Sequence, residues 1–279
     1  LVLDTKTERP PVVRAKSTKA AEKRVVNEPA ALEFWNGVGG FVDSGAAYSV
    51  LAQDGKLPPL PWANVIANER FGFLVTERGA GFTWFGNSRE NRLTPWSNDP
   101  VIDPHGEVLY IRDQESGEVW CPTGAPTAVP SAVRASHGFG HSKFSANYNG
   151  ISSELTLSGA LEDAVKWYHL ELTNHSTTER RLELYFYVEW VLGFSREQSY
   201  RHVRTGWDAE REMLYASNPF GLDYPEQVAF IGSNLQVQSH TASRREFVGR
   251  HRSLGNPAVF EPGAAAIGKQ TRQGVRSSG

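Results

Sequence analysis

Between Gly86 and Pro100 the chain carries two guanidiniums (Arg89, Arg92), three carboxamides (Asn87, Asn91, Asn98), two carboxylates (Glu90, Asp99) and an indole (Trp96). An ordinary turn needs a Gly or an Asn to set its geometry and nothing of this density. Planar forks, amides and an aromatic plate are the groups that grip sugar hydroxyls or an anion. The competing reading is a solvated loop whose charges pair with one another.

Other groups carry weaker signals. Glu90, Asp99 and Asp103 lie in or near this loop, and a sugar site can use paired carboxylates for acid and base work, although a chain of this size holds many acids by chance. Glu189 stands beside Trp190 in an aromatic run, where a carboxylate must be paired or have its pKa raised; an arginine partner is expected. His137 and His141 have the spacing of a helical zinc pair, but Gly138 and Gly140 argue against a helix, so no metal is assigned. Ser88, Ser97 and Ser142 lack a nucleophile elbow. Cys121 reads as a small buried hydrophobe at a strand end. The glycine cluster at residues 37–40 is not followed by the helix that a phosphate-cradling fingerprint requires, and reads as a tight strand connection. Arg244, Arg245, Arg250, His251 and Arg252 read as a charged loop at a sheet edge.

The elements that must position the loop are strands. Short β-type runs at 47–50, 65–68, 71–76 and 82–85 lead into it, the last turned by Glu77-Arg78-Gly79-Ala80-Gly81. Runs at 108–112 and 118–120 flank Asp113-Gln114-Glu115-Ser116-Gly117 and predict a hairpin. Further strands are predicted at 133–137, 142–148, 151–157, 165–173 and 181–192, and weaker ones at 200–207, 213–216, 228–231 and 236–241. In residues 165–172 the even positions (Lys166, Tyr168, Leu170, Leu172) turn apolar toward the strand's end. The run from Leu182 to Leu192 is aromatic on both faces, which predicts a central strand covered on each side. No segment before residue 240 shows capped helical periodicity, and no internal repeat suggests a propeller.

Many short strands punctuated by Gly, Pro and Asn predict an all-β fold, a large antiparallel β-sandwich over residues 29–262. A basic linker or tail is expected at 1–28, and a disordered or aberrant tail at 263–279. The 8 Trp, 9 Tyr and 14 Phe make a sizeable core feasible at 39% apolar content in 279 residues. A net charge of -2 gives no field that would draw nucleic acid. The single cysteine forbids an internal disulfide and fits a reducing compartment. No run has the length of a membrane span, and a soluble chain is expected.

The stretch Phe85-Gly86-Asn87-Ser88-Arg89-Glu90-Asn91-Arg92-Leu93-Thr94-Pro95-Trp96-Ser97-Asn98-Asp99-Pro100 resembles the N-terminal super-sandwich domain of the inverting disaccharide phosphorylases. That family includes cellobiose and chitobiose phosphorylases and the phosphorylase-like region of cyclic β-1,2-glucan synthases, and the last group is the nearest in likeness. Further matching motifs are Asn36-Gly37-Val38-Gly39-Gly40-Phe41, Pro61-Trp62-Ala63-Asn64-Val65-Ile66-Ala67-Asn68, Val119-Trp120-Cys121-Pro122, His137-Gly138-Phe139-Gly140, Tyr187-Val188-Glu189-Trp190-Val191-Leu192-Gly193 and Glu246-Phe247-Val248-Gly249-Arg250. They run in order from about residue 30 to about residue 260. His141 departs from the family, whose members usually carry an aromatic there.

The resemblance implies a super-sandwich that is not itself catalytic. In the family a later (α/α) barrel holds the general acid and the phosphate site, with inorganic phosphate as co-substrate and no other cofactor. The sandwich supplies a loop at the rim of the active site and helps form a homodimer. On that basis Asn87, Arg89, Arg92, Trp96, Asn98 and Asp99 are the expected contacts for a β-glucan or another glucose-containing saccharide. No catalytic residue is expected in this chain, which would be cut off before the helical linker and barrel by truncation or a frame change. The expected location is cytoplasmic, including the cytoplasmic side of a bacterial inner membrane as part of a larger membrane protein. Two other readings stay open: a stand-alone carbohydrate-binding module, and a self-sufficient glycosidase using Glu90 or Asp99.

Overall fold

A computed structural model of the chain describes residues 32–53, 55–127, 132–261, 263–264 and 269–270. The basic segment at 1–28 and the tail beyond residue 270 lie outside the described residues. In chain order the strands are β1 (Gly39–Val42), β2 (Ala47–Ala52), β3 (Ala63–Ala67), β4 (Phe71–Thr76), β5 (Gly81–Phe85), β6 (Glu107–Asp113), β7 (Val119–Trp120), β8 (Val133–Gly138) and β9 (His141–Tyr148). They continue with β10 (Ile151–Gly159), β11 (Lys166–Asn174), β12 (Leu182–Val188), β13 (Arg204–Asp208), β14 (Met213–Ser217), β15 (Val228–Ile231), β16 (His240–Thr241) and β17 (Lys269–Gln270). Two four-residue helices, α1 (Arg196–Ser199) and α2 (Arg244–Phe247), interrupt them.

One layer is a six-stranded antiparallel sheet in the order β1-β2-β8-β9-β10-β11. Three small antiparallel sheets, β3-β4-β5, β12-β6-β7 and β13-β14-β15, form the layer that packs on it. The cause is the two-residue alternation of side chains along each strand. On β10, Ile151, Ser153, Leu155 and Leu157 point inward, and on β9 Phe144 and Ala146 do. Phe144, Leu155 and Leu157 meet Ile66, Phe71, Phe73 and Val75 of β3 and β4 and Ala216 and Ala229 of β14 and β15. Ile111 and Trp120 of β6 and β7 close the other end of the same core. The even positions of β11 do face inward, with Leu170 and Leu172 in the core and Trp167 outside at 58% exposed.

The hairpin predicted at residues 108–120 is present, with Ile111 opposite Trp120. Two expectations change. The aromatic run at 181–192 is strand only over Leu182–Val188, and among the described residues it ends its sheet, paired with β6 alone, so it is covered on both faces without being central. Leu184 packs toward the six-stranded sheet, while Tyr185 and Tyr187 pack under Phe247, Val248 and Phe260 around α2. Lid and sheet together explain why both faces are apolar. Residues 37–40 are not only a connection: Gly39 and Gly40 begin β1. The short parallel pair β16–β17 brings residues 269–270, within the stretch expected to be a tail, beside His240 and Thr241.

Candidate functional site

Strand β5 ends at Phe85, and the chain folds back so that Leu93 and Thr94 donate their N–H groups to the Thr83 carbonyl. Arg92 pairs with the backbone of Gly193 in both directions at 3.0 Å, and Val191 donates to the Leu93 carbonyl at 2.8 Å. This pairing carries the segment after β12 to the loop after β5, although about a hundred residues separate them in sequence. A cavity of about 320 Å³ opens between the two, within the range of small-ligand clefts. Its walls include Arg92, Trp96, Asp99 and His105 on one side and Phe194, Arg196 and Glu197 on the other.

Each wall is fixed by identifiable contacts. The Arg92 guanidinium lies between the Phe82 and Phe194 rings, 5.7 and 5.5 Å from their centroids, in cation–π range. It also donates to the carbonyls of Ser88 and Phe194 at 3.2 and 3.4 Å. Trp96 is half-buried and packs on Phe82 with centroids 5.1 Å apart. Asp99 accepts the N–H groups of Val101 and Ile102 at 2.9 and 3.1 Å, which holds the turn. Across the cavity, Arg196 forks onto Glu189, one arm at 2.9 Å. Glu189 also sits 3.7 Å from Arg244, so the arginine partner expected for it is present twice. One guanidinium and one carboxylate on each side leave the lining without a dominant sign of charge. Such a lining suits a neutral polyhydroxylated ligand better than a lone anion.

Of the six residues expected at the site, Arg92, Trp96 and Asp99 come together at the cavity. Asn87, Arg89 and Asn98 are exposed and do not line it. The Asn87 carboxamide accepts the N–H groups of Arg89 and Glu90 and so shapes the turn. Arg89 pairs with Glu90 at 3.2 Å in solvent, as the competing solvated-loop reading has it for these two residues. The second wall, Phe194 to Glu197, was not among the sequence candidates. A four-residue helix has too few positions to show periodicity, and no local signal ties it to the loop.

The remaining candidates have structural surroundings. Cys121 is fully buried, and burial pushes its thiol up to about 12. His137 hydrogen-bonds Ser142 at 2.9 Å through Nδ1, and burial pushes its imidazole down to about 4. Arg244 donates to the Tyr187 hydroxyl at 3.2 Å from the start of α2, so this part of the basic cluster is helical and engaged rather than a free loop. Among the described residues no group of three or more His, Cys, Asp or Glu could hold a metal ion, and no helix is long and apolar enough to cross a membrane.

Comparison with known proteins gives a consistent picture. The chain is 39% identical over 259 residues to cyclic beta-(1,2)-glucan synthase NdvB of Rhizobium meliloti (strain 1021), covering 92% of this chain and 9% of that protein. It is 24% identical over 225 residues to an N,N'-diacetylchitobiose phosphorylase of Vibrio proteolyticus, covering 76% of this chain and 28% of that one. With a solabiose phosphorylase of Paenibacillus borealis it shares 26% over 237 residues, 82% of this chain and 30% of that one. The chain therefore spans less than a third of the length of each of these relatives. The family described as "Glycosyl hydrolase 94, supersandwich domain" matches residues 46–275. A match over that much of an antiparallel two-layer sandwich leaves one conclusion: the chain belongs to the glycosyl hydrolase 94 supersandwich family.

Proposed function

We propose that this domain contacts saccharide without catalysing its reaction, within a cyclic β-1,2-glucan synthase-like glycosyltransferase or inverting phosphorylase. The observation that carries this is the cavity itself, where Arg92, Trp96 and Asp99 meet Arg196 and Glu197. An indole offers an apolar plate for a sugar ring, and the forks and carboxylates offer donors and acceptors for its hydroxyls. The reactive groups, and any site for a phosphate co-substrate, belong on this proposal to a helical barrel outside the chain. The glucosyl ligand is inferred from the relatives' names and from the lining's balance of charge.

A wall without its opposing half makes few contacts, so affinity for a β-linked gluco-oligosaccharide should be no tighter than millimolar, about -4 kcal/mol. Trp96→Ala and Arg92→Ala should each weaken that binding about tenfold, equal to about 1.4 kcal/mol. Equilibrium binding with a sophoro-oligosaccharide series measures this. Unchanged affinity in both variants would refute the assignment of this cavity, and micromolar affinity would favour a stand-alone binding module.

A further inference from the structure

Next to the cavity-bearing loop lies a charged cluster that bridges the two layers of the sandwich. The Glu107 carboxylate, at the start of β6, takes four hydrogen bonds in two directions. Its Oε1 accepts from the Thr83 hydroxyl at 2.6 Å and the Thr94 hydroxyl at 2.8 Å. Its Oε2 accepts from Lys166 Nζ at 2.7 Å and from the Tyr168 hydroxyl, both on β11 of the facing sheet. The Glu107 and Lys166 side chains are each only 11% exposed, and Lys166 Nζ also lies 4.4 Å from the centroid of the Phe73 ring. Burial alone would raise the Glu107 carboxyl. The charge and hydrogen bond of Lys166, with Thr83 and Tyr168, outweigh it and hold the group at about 2.

What Oε1 grips is the stem of the cavity-bearing loop. Thr94 and Glu107 flank residues 95–106, the length of a compact surface loop whose ends meet. The Thr94 hydroxyl also accepts the Thr83 N–H at 2.9 Å, so strand, loop entry and loop exit converge on one carboxylate oxygen. Pro95, the next residue, lies against Gly106, where an added Cβ would come within 2.8 Å of the proline ring. Pro95, Trp96, Asp99 and His105 of this closed segment all line the cavity.

We infer that Glu107 is a positioning residue: it closes the stem of the 95–106 loop against β5 and so sets the shape of the cavity. For its consequence on ligand binding the inference rests on the saccharide reading above; for loop order it does not. A plain structural role would make Glu107 a partner for buried Lys166 and nothing more, and the two roles separate in a pair of double variants. E107L/K166M removes both charges together, which avoids an orphaned ion in the core. E107Q/K166M also removes them but keeps a carbonyl oxygen for Thr83 and Thr94.

Amide hydrogen exchange in the full chain reads the result. In E107L/K166M the Leu93 and Thr94 amides and those of the following loop should exchange at least about tenfold faster, with β9 and β10 amides unchanged. E107Q/K166M should restore wild-type exchange in the loop. Uniform acceleration across the sandwich, no acceleration, or failure of the Gln variant to rescue would each overturn the assignment. Selective loosening in a protein that never binds gluco-oligosaccharide would uphold the positioning role and remove the saccharide reading instead.

Discussion

His105 lines the cavity as a neutral side chain. Burial pushes its imidazole from the usual 6.5 down to about 4, while Nε2 hydrogen-bonds the Arg78 carbonyl at 3.0 Å. The unfolded chain takes up a proton at this position near pH 6.5, whereas the folded chain resists until about pH 4. The stability that His105 contributes is therefore complete above about pH 6.5 and is lost as pH falls toward 4. His105→Gln keeps a donor for Arg78 and has nothing to titrate. Its melting temperature should fall less than the wild type's between pH 7 and pH 4, and parallel curves would contradict the buried neutral state. Asp99 illustrates a different point about single side chains: its carboxylate lines the cavity with one oxygen already committed to the turn at 101–102. Sequence reasoning could count its chemistry but not that prior engagement.

Strand β5 sets the direction in which the loop leaves the sandwich, and its first residue has little freedom. Gly81 has φ +136°, and an added Cβ would stand 2.0 Å from the Leu74 carbonyl oxygen of β4, a backbone atom that cannot move aside without breaking the pairing. Gly81→Ala should cost about 3 kcal/mol or more in chemical denaturation, from strain plus the lost register. A cost below about 1 kcal/mol would mean that β4 and β5 tolerate a shift there. Elements like β4, β5 and the β6–β7 hairpin were legible because alternation and turn residues are local properties. In β11 even the inward face was readable, through Leu170 and Leu172, but Lys166 on that face signals nothing until Glu107 is found opposite it. β12 was misplaced as central because an aromatic outer face reports that something covers it, not whether a strand or the α2 lid does so. The antiparallel sandwich was thus readable almost strand by strand, whereas the cavity was half readable. Arg92, Trp96 and Asp99 come from one polar stretch, but Phe194 and Arg196 reach it only through the Arg92–Gly193 backbone pairing.

Across the whole domain, one large sheet supports three small ones, and the cavity sits where the exits of two of those, β3-β4-β5 and β12-β6-β7, converge. Three nearby acids are already engaged: Glu90 pairs with Arg89 in solvent, Asp99 holds a turn through one oxygen, and Glu189 is bound by arginines. On the proposal that the reactive groups lie outside this domain, the domain alone should not hydrolyse an aryl β-glucoside above background. Turnover abolished by Glu90→Ala or Asp99→Ala would instead establish a self-sufficient glycosidase. The most direct test of the saccharide wall is a backbone and indole chemical-shift titration of the domain with a β-1,2-linked gluco-oligosaccharide. The expected perturbations fall on residues 92–105 and 194–197, with the Trp96 indole among the largest. A footprint elsewhere on the sandwich, or none at tens of millimolar ligand, would contradict it.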